Sequence, residues 1–455
     1  MGAALRRCFL QLSEFQLSRV LLMQEIRTLL ISPALWIMLV ILSLLVGYSF
    51  IQAVELFSQA SQTALSYPEL ASGMNPTEGV FVPAFGAYYL VETLLLPFVA
   101  IRLFGQDKQN GTLKLLLQLP LSPFSLNVVK LLAMSVVWLF ILLPGVSVFI
   151  IWQYLGGAVH FPELLTLMLG HTLFVLTIIC IAMFATAISD TLPTAAMICL
   201  AATLGSWVLD FAAGEGGWMG ALGAWSLTTL LRQFESGLLS SDSIASFLAL
   251  SLLFFTAASV LLHPGRKLCQ KTKPLFVAAV ALLFVVFTIM QVPQYRDVTE
   301  NRKHSFNPAD VRALQQMNKP LKITIHLAPE DGRLYDLERE VLAKLRRTVP
   351  NLEVVFANTQ STGLFGASEN DNYGLIEYEY ADKHDMSYSN SSFEILPLLY
   401  ALGGLKVTPD VIPSYTGHPL VADASNSKWW FYLLLPLMFL LSAYLFRQPQ
   451  FLRRQ

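Results

Sequence analysis

Eight stretches of this chain run for roughly twenty residues with almost no charge, the length at which a helix crosses a bilayer core of about 30 Å. They fall near 33–54, 85–104, 129–154, 163–188, 192–212, 244–262, 275–292 and 429–446. Hydrocarbon offers no partner to a backbone N–H or C=O, so runs of this length must satisfy themselves as helices. Charged residues make up 13% of the chain, against about 25% in soluble domains. That deficit excludes a soluble globular protein. A formal net charge of -1, with no basic surface, also speaks against nucleic acid as a partner.

Arginine and lysine set the orientation. Arg6, Arg7, Arg19 and Arg27 precede the first stretch, and Lys108 and Lys114 follow the second. Arg266, Lys267, Lys271 and Lys273 sit between the sixth and seventh, and Arg447, Arg453 and Arg454 follow the eighth. The alternate loops are nearly free of them: 55–84 and 155–162 have none, and 213–243 has only Arg232. The positive-inside rule then places both termini in the cytoplasm. Residues 1–32 read as an amphipathic interfacial helix leading into a retained span, and 447–455 as a cytoplasmic tail. The cysteines, Cys8, Cys180, Cys199 and Cys269, form no CxxC pair and suggest no disulfide framework.

Residues 293–428 differ from everything before them and are expected outside, between the last two spans. LKITIHLAP, NLEVVFANT and YGLIEYEYADK read as strands, and 332–348 as an amphipathic helix with Leu334, Leu337, Val341 and Leu345 on one face. STGLFGASENDN reads as a loop, and SFEILPLLYALGG contains a further helix. The expected fold class is a polytopic α-helical membrane protein of about eight transmembrane helices, with a small extracytoplasmic α/β domain inserted between the last two.

No GxxxxGK[ST], HExxH or GxSxG occurs, so the chain has neither a phosphate-cradling loop nor a hydrolytic motif of those kinds. His304, His326, His384 and His418 lack ligand spacing, and no metal site or bound cofactor is expected. The most informative segment lies between the second and third spans, FGQDKQNGTLKLLLQLPLSP, with Lys130 soon after. Gly111 makes a turn, Thr112 is placed to cap a short helix reaching about Leu119, and Pro120 stops it. Leu113, Leu116 and Leu117 would form an apolar ridge. Such a ridge either docks on a partner or packs against the membrane surface or the N-terminal helix.

This segment resembles the loop of type-2 ABC exporter permeases (ABC-2), with matches at Gly111, Thr112, Leu113, Leu116, Leu117, Pro120, Ser122 and Lys130. Asp107 partly matches the acidic position before the glycine, and Lys114 stands where the family commonly has Glu. The resemblance implies an ATPase-coupling helix docked on a separate nucleotide-binding subunit, which would hold ATP and Mg. It implies a six-helix permease core over 33–262, a second permease copy or paralogue, and a bacterial inner membrane. A second likeness covers roughly 295–405: DVTENRKHSFNP followed by KPLKITI is similar to the start of Gld-type (gliding-associated) auxiliary domains of ABC systems, here truncated and fused. It implies a periplasmic α/β domain able to receive substrate or a partner protein.

Polar groups within spans are functional candidates. Glu92, His171 and Asp210 are candidates for a substrate path or dimer interface; Asp210 reads equally as interfacial and solvated. Residues 213–243, with Trp218, Met219, Leu222 and Trp225, read either as helices re-entering the outer leaflet or as one lying flat. Two functions fit these features: an export permease driven by a partner ATPase, or a non-transporting subunit that carries ATP-driven motion to an envelope partner through the external domain.

Overall fold

The computed structural model describes residues 2–119, 121–210, 222–263, 268–290, 294–328, 331–357, 373–407 and 415–448. Pro120, Trp218, Met219 and the expected loop at 361–372 lie outside them. Two compact units result, Met1–Val298 with Thr416–Gln455, and Thr299–Tyr415.

Among the described residues of the first unit, eight helices are long and apolar enough to cross a membrane. The chain opens with α1 (Gly2–Ile31), turns at Ser32, and enters α2 (Pro33–Ser66), with Pro33 in the first turn where its missing N–H costs nothing. A short α3 (Pro68–Ala71) follows. The second span, Thr77–Gln109, comprises a π-helical turn, α4 (Val82–Leu94) and α5 (Leu96–Gln109), interrupted at Leu95 just ahead of Pro97. Then come α6 (Thr112–Leu116), α7 (Pro123–Tyr154), α8 (Phe161–Ile188) and α9 (Leu192–Asp210). After them lie α10 (Leu227–Glu235), β1 (Leu238–Ser240), α11 (Ser241–Leu261) and α12 (Leu268–Met290). β2 (Tyr295–Asp297) pairs antiparallel with β1 and ties the chain beyond α12 to the start of α11. The last span is α17 (Ser427–Arg447); α13 to α16 belong to the second unit.

α2 has 34 residues and is about 51 Å long at 1.5 Å per residue, well beyond a 30 Å hydrocarbon core. Its extra length is clasped by residues 417–422. The His418 amide donates to Met74 O at 2.9 Å, and the Leu420 and Ala422 amides donate to Ser61 Oγ and Ser58 Oγ. Farther along, Ser43 Oγ donates to Phe431 O at 2.7 Å, and Gly47 lets the Phe431 ring lie against the α2 backbone. In α7, Pro144 breaks the hydrogen-bond ladder, and the Tyr88 hydroxyl enters the gap. It accepts from the Gly145 amide and donates to Ile141 O, so the opened turn keeps its bonds within the bundle.

The second unit is an α/β domain with strand order β4-β3-β5-β6. α13 (Pro308–Leu314) precedes β3 (Leu321–Ile325). A crossover through α14 (Gly332–Leu337), a π-helical turn at Glu338–Leu342 and α15 (Ala343–Thr348) leads to β4 (Leu352–Phe356), which is parallel to β3. β5 (Ile376–Tyr380) pairs antiparallel with β3 in the register Ile323↔Tyr378, and β6 (Lys383–Ser387) closes the other edge. α16 (Ser392–Gly403) completes the unit. Leu321, Ile323 and Ile325 point to one face and are buried with Leu337, Val341 and Leu345. The expected third strand is thus a hairpin, turning at Ala381 with φ 57°.

Candidate functional site

Two groups of polar side chains are built into the first unit. The first surrounds α6, at the end of the bundle that also carries α1. Gly111 adopts φ 76°, a conformation that strains any residue with a Cβ, and this turns the chain from α5 into α6. Gly111 itself is the N-cap. Thr112 is the first helical residue and makes no capping bond, and α6 ends at Leu116, short of Leu119. One turn is all the sequence supports before the proline.

The three ridge leucines face inward. Leu116 and Leu117 pack beside Leu21 of α1 and Leu126 and Val129 of α7. Leu113 lines a cleft beneath α6 with Phe104 and Met183. The outward apolar residue is Leu115, 65% exposed, flanked by exposed Lys114 and Gln118. The sequence offered three equivalent leucines and no means of ranking them, because the phase of a one-turn helix is set by what it packs on.

Beneath α6 lies an ion cluster. Lys130 Nζ on α7 sits 2.6 Å from Asp107 Oδ2 on α5 and 2.8 Å from Glu25 Oε1 on α1, and donates to Leu103 O at 3.0 Å. One ammonium therefore joins three helices. Burial raises the Glu25 carboxyl above its ordinary value, and the Lys130 charge opposes that rise. Lys108 reaches the C-terminal end of α8, donating to Thr186 O, Ala187 O and Ser189 O, where a cation answers the helix dipole. Ser122 accepts from the Ser125 amide at 3.0 Å and caps α7, which is a structural duty.

The second group lies inside the bundle. Glu92 Oε2 on α4 meets His171 Nδ1 on α8 at 2.9 Å, both residues fully buried. Glu235, the last residue of α10, faces His171 Nε2 at 3.5 Å. Phe85 and Tyr88 wall the imidazole, with ring centroids 5.1 and 6.1 Å away. Asp210 is not solvated: its side chain is 8% exposed, 3.0 Å from Arg232 Nη1, and accepts from Thr229 Oγ1 at 2.7 Å. Arg232, Thr229 and Glu235 all belong to α10, so one helix of nine residues meets His171 and Asp210 directly and reaches Glu92 through His171.

In the 213–243 region Trp218 and Met219 lie outside the described residues. Of α10, Leu230, Leu231 and Phe234 are buried, and Phe234 closes against Gly170 of α8, so this helix packs into the bundle. Arg232 and Glu235 escaped the sequence reading because their partners are far away in the chain.

Residues 19–209 match the ABC-2 family transporter protein model. No curated protein and no solved structure matches the chain. The ABC-2 match spans α2 to α9 with the second part of α1, and includes the α6 group, Glu92 and His171. It ends one residue before Asp210 and before α10. The buried group thus draws Glu92 and His171 from the ABC-2 segment, and Asp210 and α10 from the chain beyond it.

Proposed function

We propose that the chain is the membrane-spanning permease subunit of an ATP-binding-cassette transporter. In this reading it exports a substrate across a bacterial inner membrane, and a separate nucleotide-binding subunit holds ATP and Mg and hydrolyses the nucleotide. The observation that carries it is α6: a one-turn helix, buttressed from behind by α1 and α7, that presents Leu115 between Lys114 and Gln118 on the end of an ABC-2 bundle. An exposed leucine on a rigid mount suits a groove on a partner protein. The Lys130 cluster below would carry movement of that mount into α1, α5 and α7 together. A second permease copy or paralogue completes the pore, the α1 end faces the cytoplasm, and the Thr299–Tyr415 unit lies outside as a truncated Gld-type domain.

A second reading is favoured by the clasp on α2: the subunit transports nothing and conveys ATP-driven motion along α2 to an envelope partner. The Leu420 and Ala422 amides bind Ser61 and Ser58 on the projecting length of α2, the His418 amide binds Met74 just past α3, and the chain joins the second unit at Tyr415.

Co-purification of the tagged chain with ATPases encoded nearby tests the common core of both readings, using Leu115→Asp beside wild type. A stable complex whose ATPase stimulation is lost in Leu115→Asp, with an unchanged thermal midpoint, supports the α6 assignment. An ATPase that binds the variant as it binds wild type sinks it.

A further inference from the structure

A cavity of about 460 Å³ opens where the hinge between α1 and α2 meets α5 and the end of α17. Its polar lining is Thr28, Ser32, Arg102, Gln106 and Arg447, and its apolar wall includes Leu29, Val99 and Leu103. No carboxylate lines it, and neither guanidinium has an acidic partner among the described residues. Arg447 only donates to Ile31 O, at 3.4 Å.

Ser32 supplies an independent observation. It occupies the N-cap position of α2 yet caps nothing, and its Oγ has no hydrogen-bond partner although the residue is only 8% exposed. A buried hydroxyl left unpaired is costly unless something occupies the space beside it. The first-turn amides of a long helix also have no intrahelical acceptor and carry the positive end of its dipole. Two guanidiniums without an acidic partner, an unpaired hydroxyl and a helix N-terminus thus converge on one cavity. They share a preference for an oxygen-rich anion.

Position narrows the class. Arg102 stands five residues before Asp107, about 7.5 Å along α5 toward the apolar middle of the span, and Arg447 is the last residue of the eighth span. Arginines near the ends of apolar spans reach toward the level of lipid headgroups. The volume falls within the roughly 300–1,000 Å³ typical of small-ligand sites.

We propose that this cavity is a phosphate-binding site, filled by a phosphate group, esterified or free. Arg102 and Arg447 take the charge, and the Ser32 hydroxyl donates to a phosphate oxygen. The shared chemistry fits a phospholipid headgroup or a free phosphate.

The test uses the full chain in detergent, titrated in native mass spectrometry with phosphatidylglycerol, with diacylglycerol lacking phosphate, and with inorganic phosphate. The expected result is saturable binding of phosphatidylglycerol and none of diacylglycerol. Binding should weaken at least about ten-fold in Arg102→Gln and in Arg447→Gln. Arg102→Lys should retain more than Arg102→Gln, and Arg312→Gln on the second unit should match wild type. Competition by inorganic phosphate at equal concentration supports the site and assigns its occupant to solution; no competition assigns it to lipid. Equal binding of diacylglycerol, or wild-type binding by both glutamine variants with thermal midpoints unchanged, overturns the proposal.

Discussion

Lys130 on α7 and Asp107 on α5 meet at 2.6 Å, and the same ammonium holds Glu25 of α1 at 2.8 Å. Lys130→Met would strand two carboxylates in a partly buried site. Breaking a buried pair from one side costs about 3–5 kcal/mol, and the lower end applies where the carboxylates keep some water. The thermal midpoint of Lys130→Met should fall clearly. Adding Asp107→Leu and Glu25→Gln should recover part of the loss. If the triple variant is no more stable than Lys130→Met, the cluster is not the link between these helices.

Glu25 gives that cluster a pH signature. Burial raises its carboxyl above the ordinary 4.5, so the folded state holds the proton more tightly than the unfolded one. The resulting stability is fully present below 4.5 and is lost as pH rises through the folded value. Glu25→Gln removes this titration. Its stability should therefore change less than that of wild type as pH climbs from 4.5, which denaturation at a series of pH values would read directly.

Gly170 sets the seat of α10. A Cβ there would lie 2.5 Å from Phe234 Cβ, an atom too close to its own backbone to swing aside. Gly170→Ala should cost about 1–3 kcal/mol by overpacking. It should also push Glu235 away from His171. Gly205 in α9 is the matched control, since nothing stands within 4 Å of its Cβ. Gly205→Ala should be neutral or stabilising by up to about 1 kcal/mol. Equal thermal midpoints for the two variants would mean that Phe234 does not pack on Gly170.

The spans were legible because hydropathy over about twenty residues is a long signal that tertiary packing does not alter. α2 shows its limit. The apolar run ends near residue 54, yet the helix continues to Ser66, held by contacts with a segment more than 350 residues away in the chain. β6 was missed for a local reason. KHDMS has no apolar alternation because it is an exposed edge, and its turn uses Ala381 where glycine or asparagine would have announced it. Glu92 and His171 could be picked out singly as polar residues in apolar runs. Their pairing could not, because helix phase and neighbour order are tertiary facts.

Asp331 in the second unit titrates in the opposite sense to Glu25. Its carboxylate accepts from Arg333 at 2.9 Å and from the Tyr373 hydroxyl at 2.8 Å, and these bonds hold its pKa down to about 2. Its contribution is complete above 3.8 and disappears as pH falls toward 2. Arg333 is 47% exposed, so screening limits the effect to about 1 kcal/mol. Asp331→Asn should speed hydrogen exchange of the β3 amides in the full chain at neutral pH. Near pH 2 variant and wild type should converge; a difference that persists there would point to lost packing and not to lost charge.

Gly417 tests whether the clasp on α2 is seated as described. Its φ is 70°, and a Cβ would fall 1.6 Å from Ala71 O, a backbone atom that cannot rotate away. Gly417→Ala must therefore push this segment away from the end of α3, beside its seat on α2, and the strain of a positive φ acts in the same direction. The Leu420 and Ala422 amides, bonded to Ser61 and Ser58 hydroxyls in the wild type, would then open to water. Hydrogen exchange across 416–424 should rise sharply. Ser58→Ala with Ser61→Ala should reproduce the exchange change more mildly, since it removes the acceptors but leaves the backbone path intact. If Gly417→Ala leaves these amides protected, the segment is held by something other than α2, and the mechanical reading loses the contact on which it stands.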